Sequence, residues 1–107
     1  MPLESLNTVL YTTTASAQGG RGGRVRSEDG VIDLELGKPG SVSNPKANPE
    51  TLFASGYAAC FSGALNAIGR KAGVDVSESL VTATVTFGKT GTGFGLAVDI
   101  VAAARAA

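Results

Sequence analysis

One thiol and a few charges carry whatever covalent chemistry this 107-residue chain can perform. Its only cysteine, Cys60, lies in the apolar stretch NPETLFASGYAACF, Asn48 to Phe61. There is no histidine, so the commonest general base and metal ligand is missing. A single cysteine makes neither an internal disulfide nor a zinc cluster, and no metal or organic cofactor is expected. What remains is nucleophilic chemistry at sulfur, for which the thiolate is the reactive form. Burial among alkyl groups disfavours that charged form, so a working Cys60 needs a cation beside it. Without histidine the cation must be lysine or arginine. Arginine is the better candidate because it stays charged when partly buried and offers several donors. QGGRGGR supplies two, Arg21 and Arg24. An arginine drawn out of water needs a carboxylate to fix it, and Glu50 is the candidate. Each residue also has a plainer reading: Cys60 as a small packed hydrophobe, Arg21 as a solvated turn residue, Glu50 as a carboxylate serving a helix dipole.

These residues must be held by identifiable elements. Thr8 to Ala17 alternates with β-branched residues and predicts a strand. QGGRGG turns the chain, RVRS predicts a second strand, and Asp29–Gly30 is a hairpin signal. VIDLEL predicts a third strand, with Val31, Asp33 and Glu35 wet and Ile32, Leu34 and Leu36 dry. Residues 37–46 read as a loop rich in Gly, Pro and Ser. Asn48 suits an N-cap and Pro49 the first helical position. A helix is expected to about Ala72, closed by Gly73 in a left-handed cap. Its apolar residues cover more than half the circumference and no charge lies between Glu50 and Arg70, which predicts a helix buried on most sides at the centre of the structure. Leu80 to Phe87 and FGLAVDIV predict two further strands around the turn GKTGTG. The expected fold class is α+β: an antiparallel β-meander, a buried central helix and further strands, in one domain over residues 1–107.

Formal net charge is zero, with 17% charged and 43% hydrophobic residues, which argues against a polybasic nucleic-acid binder or a disordered acidic chain. The N-terminus lacks the pattern of a secretory signal. No uninterrupted apolar run is long enough to cross a bilayer, so no membrane partner is expected, and the setting is read as reducing and cytoplasmic. The two sheet segments and apolar helix leave more apolar surface than a monomer buries comfortably, which points to an oligomer or a further C-terminal piece.

The segments VLYTTTASAQGGRGG, SEDGVIDLEL, NPETLFASGYAACF and GFGLAVDI follow one another in the order and spacing of the organic hydroperoxide resistance (Ohr) proteins of the OsmC/Ohr family, which this chain resembles from Val9 to about Val101. The block around Cys60 is the most specific and departs from the usual pattern mainly at Thr51 and Ser55. The resemblance implies a thiol peroxidase that reduces organic hydroperoxides, alkyl or fatty-acid, to alcohols as part of an oxidative stress response. It implies an intertwined homodimer with active sites at the subunit interface. It matches the reactive cysteine to Cys60, the arginine after Gly-Gly to Arg21 in preference to Arg24, and the glutamate of Asn-Pro-Glu to Glu50. A lipoyl-bearing protein or another external thiol is implied as reductant. Family members normally continue through another helix with a second, resolving cysteine and a last strand. The 107 residues hold neither, so recycling through an internal disulfide is not expected within them. The alternative is a catalytically incomplete module that reacts with peroxide once or binds a small molecule.

Geometry adds one expectation. Glu50 and Cys60 are ten residues apart, about 15 Å along a straight helix, more than a side chain spans. Either the helix breaks between them or Arg21 and Glu50 of one chain complete the Cys60 site of another, which is the expected arrangement. Gly56, Cys60 and Gly63 share one helical face. That face serves either close packing on the sheet or helix-to-helix contact across a dimer. Phe53, Tyr57, Phe61 and Phe94 are candidate pocket residues for an alkyl chain, and core packing would use them equally well.

Overall fold

The computed structural model describes residues 6–40 and 45–105, and the chain divides into two compact units, one ending at Asn48 and the other beginning at Pro49. Part of the expected 37–46 loop, residues 41–44, lies outside the described residues.

The first unit is an antiparallel sheet in the order β1 (Ala15–Gln18), β2 (Arg24–Ser27), β3 (Asp33–Glu35). The β1–β2 connection is a 3-10 turn, Gly20–Gly22. Gly19 and Gly20 have φ of 87° and 71°, a region closed to most side chains. The β2–β3 turn is fixed by side chains. Ser27 Oγ donates to Asp29 Oδ1 at 2.6 Å, and the Val31 and Ile32 amides donate to Asp29 Oδ1 and Ser27 Oγ at 3.0 and 2.9 Å. The expected third strand is trimmed to its centre. After it, Leu36 makes a parallel bridge with Ala47, and the Gly37 amide donates to the Ala47 carbonyl at 2.9 Å. This bridge fixes the chain just ahead of Pro49. Leu36 is the one buried hydrophobic residue among those described.

The expected strand Thr8–Ala17 is corrected to Ala15–Gln18. β1 pairs Ala15 with Ser27, and the Glu28 amide donates to the Thr14 carbonyl at 2.9 Å. There β2 ends and turns away, so residues 8–13 overshoot their partner and form no strand despite their alternating pattern.

The second unit holds helix α1 (Pro49–Lys71) and the antiparallel hairpin β4 (Leu80–Thr90) and β5 (Gly93–Ala103). α1 packs on β4. Val81, Ala83 and Val85 are half-buried while Thr82, Thr84 and Thr86 are exposed, so one face of β4 is covered and the other wet. The expected turn GKTGTG contracts to Gly91–Thr92, because Gly88–Thr90 continue the ladder to Thr90–Gly93.

The C-terminus of α1 closes as a Schellman motif. Gly73 takes φ 74°, its amide donates to Arg70 at 3.1 Å, and the Val74 amide reaches back to Gly69 at 2.8 Å. A Cβ on Gly69 would lie 2.7 Å from Val76 Cγ2 and 2.8 Å from the Val74 carbonyl oxygen. Alanine usually gains about 1 kcal/mol over glycine inside a helix. Here Gly69→Ala is expected to cost ~1–3 kcal/mol by overpacking, read as a lower urea midpoint at unchanged slope.

The helix bounds match the sequence reading, but its burial does not. Within this chain only Gly69 of α1 is buried, because a two-stranded hairpin covers one stripe of a helix and no more. By length and composition alone α1 passes the test for a membrane-crossing helix, as the core helix of a soluble protein also does. Two polar residues of the helix are Ser55 and Asn66. Both return their hydrogen bonds to their own helix, Ser55 Oγ to the Thr51 carbonyl at 2.8 Å and Asn66 Nδ2 to the Ser62 carbonyl at 2.9 Å, which masks their polarity. The chain exposes 8293 Å2 for a mass of 10.7 kDa, against roughly 5,500 Å2 for a folded monomer of that size.

Two exposed carboxylates set an acid limit. Asp29 is held below its ordinary value of 3.8, first by the Ser27 hydroxyl and then by the Val31 amide. Asp75 is lowered likewise by the Ser77 hydroxyl and amide. A carboxylate depressed in the folded state adds stability that is fully present above its unfolded value and is lost as pH falls through its folded value. Melting temperature is therefore expected to be indifferent to these two groups from neutral pH down to about 5 and to fall below about 4. Asp29→Asn should flatten that acid limb in a thermal titration.

Candidate active site

Cys60 sits in the middle of α1, free and exposed. It shares an apolar hollow of about 310 Å3 with Tyr57, Phe61 and Ala64. These positions follow from helical spacing: Tyr57 is three residues before Cys60 and Ala64 four after it, on the same side. Ala64 went unnoticed in the sequence reading, although that spacing marks it. Phe53, one turn before Tyr57, stacks on the Tyr57 ring with centroids 5.7 Å apart and planes at 28°. Phe53, Tyr57 and Phe61 are each about two-fifths exposed. All four lining residues belong to α1, so the hollow is an open apolar surface beside the thiol.

The fourth pocket candidate lies elsewhere in its unit. Phe94, on β5, stacks against Phe87 of β4 with centroids 5.4 Å apart and does not line the Cys60 hollow. The aromatics thus form two separate stacks, one on the helix and one on the hairpin.

Ala54, Ala58, Ser62, Leu65 and Gly69 form the less exposed stripe of α1, and Cys60 with Gly56 and Gly63 lies across the helix from it. A Cβ on Gly56 or Gly63 would meet nothing within 4 Å. Close packing on the sheet therefore does not account for these glycines within the chain.

Glu50 occupies the first turn of α1, where its charge complements the helix dipole. The helix is continuous from Pro49 to Lys71, which removes the possibility that it breaks between Glu50 and Cys60. About 15 Å of helix separates them along the axis. Arg21 is the central residue of the Gly20–Gly22 turn in the first unit. Arg24 is engaged elsewhere, its Nε donating to Asp33 Oδ1 at 2.8 Å across β2 and β3. That exposed pair is worth under about 1 kcal/mol, and it ties down the strand that follows the Arg21 turn.

Of the candidate residues, Cys60 and Glu50 lie on one helix, a solvent-reachable thiol beside an apolar surface and a carboxylate at the helix head, and Arg21 lies in a glycine-framed turn of the first unit. A model of the OsmC-like protein family matches residues 40–105. The chain is 39% identical over 102 residues to the organic hydroperoxide resistance protein of Xanthomonas axonopodis pv. citri, covering 92% of this chain and 72% of that one. It is 48% identical over 81 residues to the organic hydroperoxide resistance protein OhrA of Bacillus subtilis, covering 72% of this chain and 57% of the relative. Among solved structures, an organic hydroperoxide resistance protein from Elizabethkingia anophelis superposes with a TM-score of 0.79 at 44% identity, over 91% of this chain and 71% of that one.

Proposed function

Because the chain belongs to the OsmC-like protein family, alongside organic hydroperoxide resistance proteins, we propose that it is a cysteine-based peroxidase that reduces organic hydroperoxides to alcohols. The observation that carries this reading is the exposed Cys60 thiol beside an open apolar surface with Tyr57, Phe61 and Ala64.

The Cys60 thiolate attacks the distal oxygen of R–O–OH. The O–O bond breaks, an S–O bond forms, and sulfur becomes a sulfenic acid. The alkoxide leaves and takes up a proton to become the alcohol. The Arg21 guanidinium stabilises the thiolate and then the negative charge on the leaving oxygen, and Glu50 orients Arg21 through a charge-assisted hydrogen bond. The alkyl chain lies along the Phe53–Tyr57–Phe61 surface, which favours alkyl or fatty-acid hydroperoxides.

Two chains build each site. α1 cannot bring its own Glu50 to its own Cys60, so Arg21 and Glu50 come from a second copy in a homodimer. The unfilled glycine face of α1 and the surplus exposed surface support the same arrangement.

The sulfenic acid is then reduced by an external dithiol of the lipoyl class. One thiol displaces water to give a mixed disulfide, and the second closes the reductant's own disulfide and frees Cys60. This cycle suits a reducing cytoplasm. The test is consumption of cumene hydroperoxide with dihydrolipoamide. Wild type should turn over many times and Cys60→Ser should fall to background, a loss of at least ~1,000-fold. A single stoichiometric oxidation in the wild type would instead favour a peroxide-reactive module without turnover.

A further inference from the structure

We propose that the substrate is a straight-chain hydroperoxide that carries its peroxide group in mid-chain, and that Ala64 is the specificity residue that admits its second alkyl arm. This rests on the peroxidase reading above and adds where along the chain the peroxide sits.

Cys60 stands near the midpoint of an apolar stripe of α1, not at its end. Toward the helix N-terminus the stripe runs through Tyr57 to Phe53, whose rings stack 5.7 Å apart. The other way it runs through Phe61 and Ala64 to Ile68, which is 66% exposed. Along the axis Phe53 is about 10 Å from Cys60 and Ile68 about 12 Å from it on the opposite side. Around the helix all five lie to one flank of Cys60, within about 100° of it. Gly56 and Gly63 lie on the other flank, the face assigned above to a second copy. A copy seated there leaves the stripe to a ligand.

A thiol at the end of an apolar stripe suits a terminal hydroperoxide, whose single tail covers the whole stripe. A thiol at the midpoint does not, because such a tail covers one arm and leaves the other in water. A secondary hydroperoxide presents its O–O group between two alkyl arms, and here each arm finds apolar surface. The thiolate takes the distal oxygen, the O–O bond breaks as the S–O bond forms, and the alkoxide picks up a proton to leave as a secondary alcohol.

Ala64 has the smallest side chain of the stripe. It follows Cys60 by one turn and lines the hollow of about 310 Å3 beside the sulfur. A larger side chain there fills the hollow and stops the second arm short of Ile68. Leucine serves a helix almost as well as alanine, so helix formation does not demand alanine at this exposed position.

The test follows loss of the Cys60 thiol in single-turnover mixing, which needs no reductant. Rates are compared for 6-hydroperoxydodecane and 1-hydroperoxydodecane. The pair 2-hydroperoxybutane and 1-hydroperoxybutane, too short to use the stripe, supplies the intrinsic secondary-to-primary ratio. That ratio should be at least ~10-fold higher for the dodecane pair, since each methylene taken from water is worth roughly fourfold. Ala64→Leu, which blocks the second arm, and Ile68→Ala, which removes its far contact, should each lower the dodecane ratio at least ~3-fold toward the butane value. Equal ratios for the two pairs in wild type overturn the proposal, and oxidation of Cys60 by cumene hydroperoxide in the same protein then leaves the peroxidase reading standing. A wild-type preference that persists unchanged in both variants overturns the assignment to Ala64. Failure of every hydroperoxide to oxidise Cys60 removes the peroxidase reading and this inference together.

Discussion

Mixing Arg21→Ala chains with Cys60→Ser chains is expected to restore peroxidase turnover that neither variant has alone. If the site takes Cys60 from one chain and Arg21 from the other, a mixed dimer holds one site in which both residues are native and one in which both are lost. Random exchange in an equal mixture makes half the dimers mixed, so recovery should approach about a quarter of the wild-type rate. Each variant alone should be depleted at every site, Arg21→Ala by ~100- to 1,000-fold, the usual cost of removing a single preorganised donor to a developing oxyanion. The readout is hydroperoxide consumption after partial denaturation and refolding of the mixture, against each variant refolded by itself. Recovery no greater than the sum of the two would place Arg21 and Cys60 of one site on the same chain.

The second large effect is expected at a residue that touches no substrate. A Cβ on Gly23 would run into the Gln18 carbonyl oxygen and lie 2.7 Å from Gly19 Cα. Both obstacles are backbone, held by β1–β2 pairing and by the Gly23 amide donating to the Gly20 carbonyl at 3.1 Å. No rotamer relieves the clash, so the turn must open. Gly23→Ala is expected to cost ~2–4 kcal/mol and to cut turnover with it, because the opened segment is the one that holds Arg21. Gly22→Ala is the control: a Cβ there meets nothing within 4 Å, and stability should stay within about 0.5 kcal/mol of wild type. Urea unfolding and turnover of the two variants, measured side by side, separate the shape of the turn from the mere loss of a glycine.

The contrast between these adjacent glycines marks what the sequence could convey. GGRGG reads as a turn, and Gly73 reads as a left-handed cap, because both depend on a few neighbouring φ/ψ values. The bounds of α1 were legible for the same reason, with Pro49 opening it and Gly73 closing it. The Cys60 block was legible through its resemblance to a family, and the face shared by Gly56, Cys60 and Gly63 through helical spacing. What escaped depends on distant partners. Residues 8–13 alternate as a strand does, yet β2 stops short of them. The Leu36–Ala47 bridge joins residues across a loop and leaves no local signature. The apolar circumference of α1 implied more burial than the hairpin supplies. Local propensity is written in neighbouring residues, whereas burial belongs to the assembled surface.

The return of Ser55 and Asn66 side chains to their own helix carbonyls bears on how a newly made chain is handled if it pairs with a second copy as proposed above. A newly made α1 offers a polypeptide-handling machinery a segment with few polar groups left to advertise, comparable in length to a bilayer anchor. If a second copy covers it as proposed above, that pairing competes with adsorption to lipid and with clumping of unpaired chains. Pairing is second order in chain concentration whereas capture by lipid is first order, so the yield of usable protein depends on how fast it is made.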